Sequence, residues 1–153
     1  MELLDCSNKE KSKLIDYLRD TPVSWIANKI GSKYNVRKGL VSSISELGNM
    51  QTLWSSLGGV QCNEVFKSDK FRVRDAFKVL NDPACADVES LKTVQKYIHD
   101  IHDISMLITV ILEDNGEYRI FDGNKRAVAY YETMKAQQNP KIRLKIFLLQ
   151  TKN

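Results

Sequence analysis

A mixed α+β fold, with N-terminal helices followed by a small sheet carrying its own helices, is predicted by three observations. Between capping signals, the first 60 residues place apolar residues at helical spacing. From Met106 onward the pattern changes to β-branched apolar runs interrupted by Asn-Gly and Asp-Gly. The chain has 153 residues, 42% apolar and 27% charged, which suits one globular domain with a small helical appendage and excludes disorder throughout.

Ser7-Asn8-Lys9-Glu10 reads as a capping box opening a helix with Leu14, Ile15 and Leu18 on one face. Thr21-Pro22 looks like the next helix start and Gly31 its stop. A third helix is expected over Val36–Leu47, ending at Gly48, and a short one around Trp54. Gly58-Gly59 marks the seam, which divides the chain into a helical region 1–60 and a second unit 61–153. After it, Glu64–Phe71 is expected as a strand and Val88–His102 as a helix. Met106–Glu113 then reads as a buried strand, and Asp114-Asn115-Gly116 as a hairpin turn to a partner strand over Glu117–Phe121. Asp122-Gly123 turns into a helix from Asn124 to Gln137, and Ile142–Leu149 is the last strand.

The net charge is +4, and eight basic against five acidic residues fall within 106–153. Such an excess points to one local anion site rather than to a long nucleic-acid track. Three scattered cysteines form no CxxC, which argues against a disulfide framework or zinc ribbon and for a reducing, cytoplasmic setting. Neither a signal-peptide pattern nor an 18-residue apolar run is read, so no membrane partner is expected.

The loop Phe121-Asp122-Gly123-Asn124-Lys125-Arg126 carries the chemistry. The first N–H groups of a helix lack internal partners, and the helix dipole adds about half a positive charge there. Gly123 lets a phosphate approach the backbone, with Asn124 opening the helix, and Lys125 and Arg126 supply a mobile charge and a bidentate fork. Asp122 is a candidate magnesium ligand or proton acceptor. The plainer reading makes Asp122 and Asn124 turn and cap residues beside a solvated basic face.

Met106–Leu149 resembles the ParB/sulfiredoxin-like fold, on the run Tyr118-Arg-Ile-Phe-Asp-Gly-Asn-Lys-Arg-Ala-Val-Ala129 and the helix before the strand pair. The resemblance implies nucleotide binding, with ATP or CTP as ligand, a magnesium ion, and phosphates held by the loop and helix start. Within that group, ParB proteins hydrolyse CTP, free serine kinases use an Asp-Gly-His-Thr-Arg loop, and sulfiredoxins use ATP and a loop cysteine. Gly123 and Arg126 match the shared glycine and arginine, and Asp122 matches the kinase aspartate. Asn124 stands where sulfiredoxin needs cysteine, so that reaction is not expected. The helix-turn-helix that follows the nucleotide domain in ParB does not follow here, so a partitioning role is not expected either. The implied activity is a nucleotide-dependent phosphotransferase or NTP hydrolase using Asp122, Lys125 and Arg126, in a chain compatible with a homodimer. The alternative is a non-catalytic regulator that binds DNA, RNA or a protein, as in a defence or toxin system. The same loop also resembles the Fic/Doc signature, but Tyr118 falls where the histidine base belongs.

Arg72 and Arg74, in an aromatic and basic stretch from Phe66 to Lys78, are expected on one strand face, able to reach phosphates, with Phe66, Phe71 and Phe77 in the core. Asp75, Asp87 and Glu89 are candidate bases by analogy with the kinases. His99, His102 and Asp103 have metal-compatible spacing but read more simply as a polar helix end. Pro22–Leu47 loosely suggests a helix-turn-helix with Asn35–Lys38 near DNA, although plain packing accounts for it better. Tyr131 and Met134 are expected in the core.

Overall fold

Ser7 opens the first helix as its sequence requires. Its hydroxyl accepts from the Glu10 amide while the Glu10 carboxylate accepts from the Ser7 amide at 2.9 Å, and helix α1 runs Asn8–Arg19. The structure, a computed structural model, describes residues 1–52, 71–83, 87–102, 107–137 and 144–152. Before α1 lies strand β1, Glu2–Asp5, and after it a 3-10 helix, Ser24–Lys29. Gly31 then takes φ +88 and the chain enters strand β2, Tyr34–Val41. Ser43 caps the short helix α2, Ile44–Asn49.

Helix α3, Val73–Leu80, follows Phe71 and Arg72. Asp87 caps helix α4, Val88–His99, by accepting from the Ser90 amide at 3.0 Å. Strands β3, Thr109–Leu112, and β4, Tyr118–Asp122, form the expected hairpin. Its turn closes with Gly116 N–H donating to the Glu113 carbonyl, and Gly116 at φ +81 absorbs the reversal. This is a three-residue loop with a left-handed glycine. Helix α5, Asn124–Lys135, and strand β5, Leu144–Thr151, complete the chain.

The strands form one sheet in the order β1-β2-β5-β3-β4. β3 and β5 are parallel, and the other neighbouring pairs are antiparallel. Each face has its own core. Leu14, Leu18 and Ile26 of α1 and the 3-10 helix pack with Val36, Ile111 and Leu149 on one face. On the other, α2 to α5 bury Val73, Ala76, Val94 and Val128 against Val110, Ile120 and Leu148. The mixed α+β class is therefore as the sequence predicts.

Several expected elements change. The helix expected over Val36–Leu47 is a strand followed by a short helix, and β2 pairs along its length with β5. Residues 1–52 therefore contribute β1 and β2 to the sheet that the last third of the chain completes, beside their helices. The helix expected from Pro22 is a single 3-10 segment, and the helix-turn-helix loses its second helix to β2. Arg72 and Arg74 do not share a strand face, because Arg72 caps α3 and Arg74 lies within it. Phe71, Phe77, Tyr131 and Met134 do pack in or against the core. Residues 64–70 of the strand expected over Glu64–Phe71, the Trp54 helix and the Gly58-Gly59 seam lie outside the described residues. Among the described residues, no helix is long and apolar enough to cross a membrane.

Candidate functional site at the β4–α5 junction

Alternation along β4 sends Arg119 and Phe121 to the α1 face and Tyr118 and Ile120 to the other. A register shift then intervenes. Thr109 pairs with Asp122 while Val110 pairs with Ile120, leaving Phe121 as the extra residue of a bulge. A bulge turns two consecutive side chains toward one side. Asp122 thus joins Phe121 on the α1 face, where Tyr17 of α1 meets it.

The Asp122 Oδ2 accepts from the Tyr17 hydroxyl at 2.8 Å and from the Arg126 guanidinium at 2.6 Å, and the same guanidinium donates to the Tyr17 oxygen at 2.8 Å. The carboxylate and guanidinium are both only about one-sixth exposed. Burial, and then the hydrogen bond to Asp122, push the Tyr17 hydroxyl above its ordinary value, so it stays a donor at neutral pH. The three side chains form a closed clasp. It ties α1, on one face of the sheet, to the start of α5, whose buried face packs on the other.

Gly123 stands between them at φ +86, a conformation that L side chains rarely adopt. A Cβ there would lie 3.0 Å from both the Leu107 carbonyl oxygen and Ile108 Cγ1. Both constraints favour glycine. Gly123 supplies no side-chain cap to α5, and its own carbonyl accepts from the Ala127 amide at 2.8 Å. Lys125 lies in the first turn, half-buried, and makes no ion pair among the described residues. Around this turn stand Trp25, edge-on to Phe121 at 5.6 Å, and Thr109, whose buried hydroxyl has no hydrogen-bond partner among the described residues.

Of the predicted site residues, the junction therefore brings together Asp122, Gly123, Asn124, Lys125 and Arg126. Arg72 and Arg74 stand elsewhere. Arg72 pairs with Glu117 at 2.6 Å and donates to the Asn49 carbonyl, while Arg74 donates to the Asn49 side chain at 2.5 Å. Glu117 precedes β4 and Asp122 ends it, about 17 Å apart at the rise of an extended strand. Arg72 joins the hairpin to α2, Arg74 joins α3 to α2, and neither takes part in the loop.

The candidate bases are also engaged elsewhere. Asp87 caps α4, Glu89 pairs with Lys92 at 3.2 Å, and Asp75 lies beside Arg74. His99 is exposed and bonds Asp100 at 2.6 Å, which raises its affinity for a proton. No group of three metal-ligating side chains occurs among the described residues. At the loop, the one carboxylate already carries a guanidinium and a phenol, so the donor set does not suit a magnesium ion held by the protein.

Tyr17 was missed by sequence reasoning. It lies 105 residues from Asp122, and no local pattern joins them. No protein-family model, curated protein or solved structure matches this chain.

Proposed function

We propose that this chain is a ParB-like nucleotide-binding protein that holds the phosphates of ATP or CTP at the β4–α5 junction and acts as a phosphotransferase or NTP hydrolase. One observation carries the reading. The strand leads into a left-handed glycine where a Cβ would crowd Leu107 and Ile108, and the helix that follows begins with no side-chain cap. A helix start of this kind attracts phosphate through its first-turn N–H groups and dipole. Lys125 adds a positive charge beside it and would neutralise charge that develops during transfer.

Arg126 acts differently from Lys125 in this account. Its charge is matched by Asp122, so it orients the turn. Asp122 in turn holds Arg126 and Tyr17 in place.

A second reading is favoured by the clasp itself. Asp122 is tied to two donors, and a tied carboxylate is a poor acceptor for a substrate proton. The same turn would then serve a regulator that binds nucleotide, DNA or an acidic partner without turnover. Calorimetry with ATP, ADP, CTP and GTP, paired with a phosphate-release assay, separates the outcomes. Binding that Lys125→Ala weakens, with release of phosphate, supports the enzyme. Binding without release supports the regulator. No binding by any nucleotide at millimolar concentration refutes the proposal.

A further inference from the structure

Tryptophan is among the largest apolar side chains and is highly buried on average. Trp25 is 47% exposed. Its neighbours in the 3-10 helix, Ile26 and Ala27, are buried in the α1-side core, which fixes the backbone beneath it. Its ring meets Phe121 edge-to-face, with centroids 5.6 Å apart and planes at 66°. The Lys29 ammonium lies over one face of the ring, 4.7 Å from its centroid. The indole is thus held firmly while offering much of its surface to solvent.

Its position matters as much as its exposure. Phe121 directly precedes Asp122, and the β4 bulge places both on the α1 face, so Trp25 stands one aromatic ring away from the turn into α5. Thr109 lies on the same face. Its hydroxyl is fully buried, lies across from Asp122 in the sheet register, and has no hydrogen-bond partner among the described residues. A buried hydroxyl without a partner is costly, which points to an oxygen or nitrogen supplied from outside the described residues.

We propose that Trp25 is the platform on which the base of the bound nucleotide stacks, an inference that rests on the phosphate reading of the β4–α5 junction. The base lies against the indole on the face away from Lys29, and the phosphates reach the first turn of α5. Stacking of this kind tolerates any base, since every base has a π-face. Trp25 therefore sets the preference for a nucleotide over a bare polyphosphate.

Calorimetric titration of the full chain with ATP, CTP, GTP and inorganic triphosphate tests this. The wild-type protein is expected to bind at least one nucleotide more tightly than triphosphate. Trp25→Ala is expected to weaken that nucleotide roughly 5- to 100-fold, as loss of one base–aromatic stack does, and to leave triphosphate unchanged. Trp25→Leu keeps an apolar contact on Phe121 without a ring and is expected to show the same loss, whereas Trp25→Phe retains most of the affinity. The inference is overturned if the Ala and Leu variants bind nucleotide like the wild type, or if nucleotides bind no tighter than triphosphate. Both of those results leave the phosphate site standing. Binding of neither nucleotide nor triphosphate overturns the phosphate reading as well.

Discussion

Replacing Gly123 by alanine combines two penalties that the structure separates cleanly. The first is conformational, because φ +86 costs an L residue about 1–2 kcal/mol. The second is steric. The new Cβ lies 3.0 Å from the Leu107 carbonyl oxygen and from Ile108 Cγ1, and a crowded methyl group costs about 1–3 kcal/mol more. Gly116 is the internal control. It has φ +81 and nothing within 4 Å of where a Cβ would stand, so Gly116→Ala carries only the first penalty. Effects of the methyl group on the unfolded chain are common to both variants and cancel in the difference. Gly123→Ala is therefore expected to cost about 2–5 kcal/mol and Gly116→Ala about 1–2 kcal/mol. In a domain of this size the gap lowers Tm by roughly a further 2–12 °C. Urea and thermal denaturation of the two variants measure it. Equal losses would refute the claim that close packing, and not φ alone, demands glycine at the junction.

Three other outcomes follow from the same geometry. In a double-mutant cycle on Asp122→Asn and Arg126→Gln, urea denaturation is expected to show a coupling of about 1–3 kcal/mol, since the pair is largely buried and shares Tyr17. Tyr17→Phe deletes a hydroxyl bonded to both charges and is expected to destabilise by about 1–2 kcal/mol, with additive behaviour toward the Arg126 variant arguing against a clasp. The Glu10 carboxyl is lowered to about 2, first by the hydrogen bond from Lys38 and then by those from Ser7. Because the folded value is depressed, its contribution is complete above the ordinary carboxylate range and is lost as pH falls from about 4.5 toward 2. Glu10→Gln is expected to flatten stability measured across that window relative to the wild type.

Local signals were legible where one piece of backbone settles them. The capping box at Ser7 and Glu10 forms as written, and so do the glycine-closed hairpin and the strand–Gly123–helix turn. The β2 region misled because Val36 and Leu40 are four apart, a spacing that satisfies both a helix and an alternating strand. Ile44 and Leu47 then prolonged the apparent helical pattern, although they belong to α2 after Ser43. The tie was broken by long-range pairing with β5, which the local sequence does not contain. Arg72 and Arg74 show the same ambiguity. Phe71 and Val73 alternate like a strand, yet Val73, Ala76 and Leu80 form the buried face of a helix. At the site, the loop residues were visible but their partnership was not. Asp122 and Arg126 read as two independent catalytic groups, whereas a bulge and a distant tyrosine make them one neutral clasp.

The central claim is that phosphate is held by the first turn of α5, and amide chemical-shift mapping tests it most directly. Titration of the isotopically labelled chain with ATP or CTP is predicted to shift the amides of residues 123–126 most strongly and to saturate, with Lys125→Ala weakening the response. Saturable binding that leaves those four amides unmoved would contradict it.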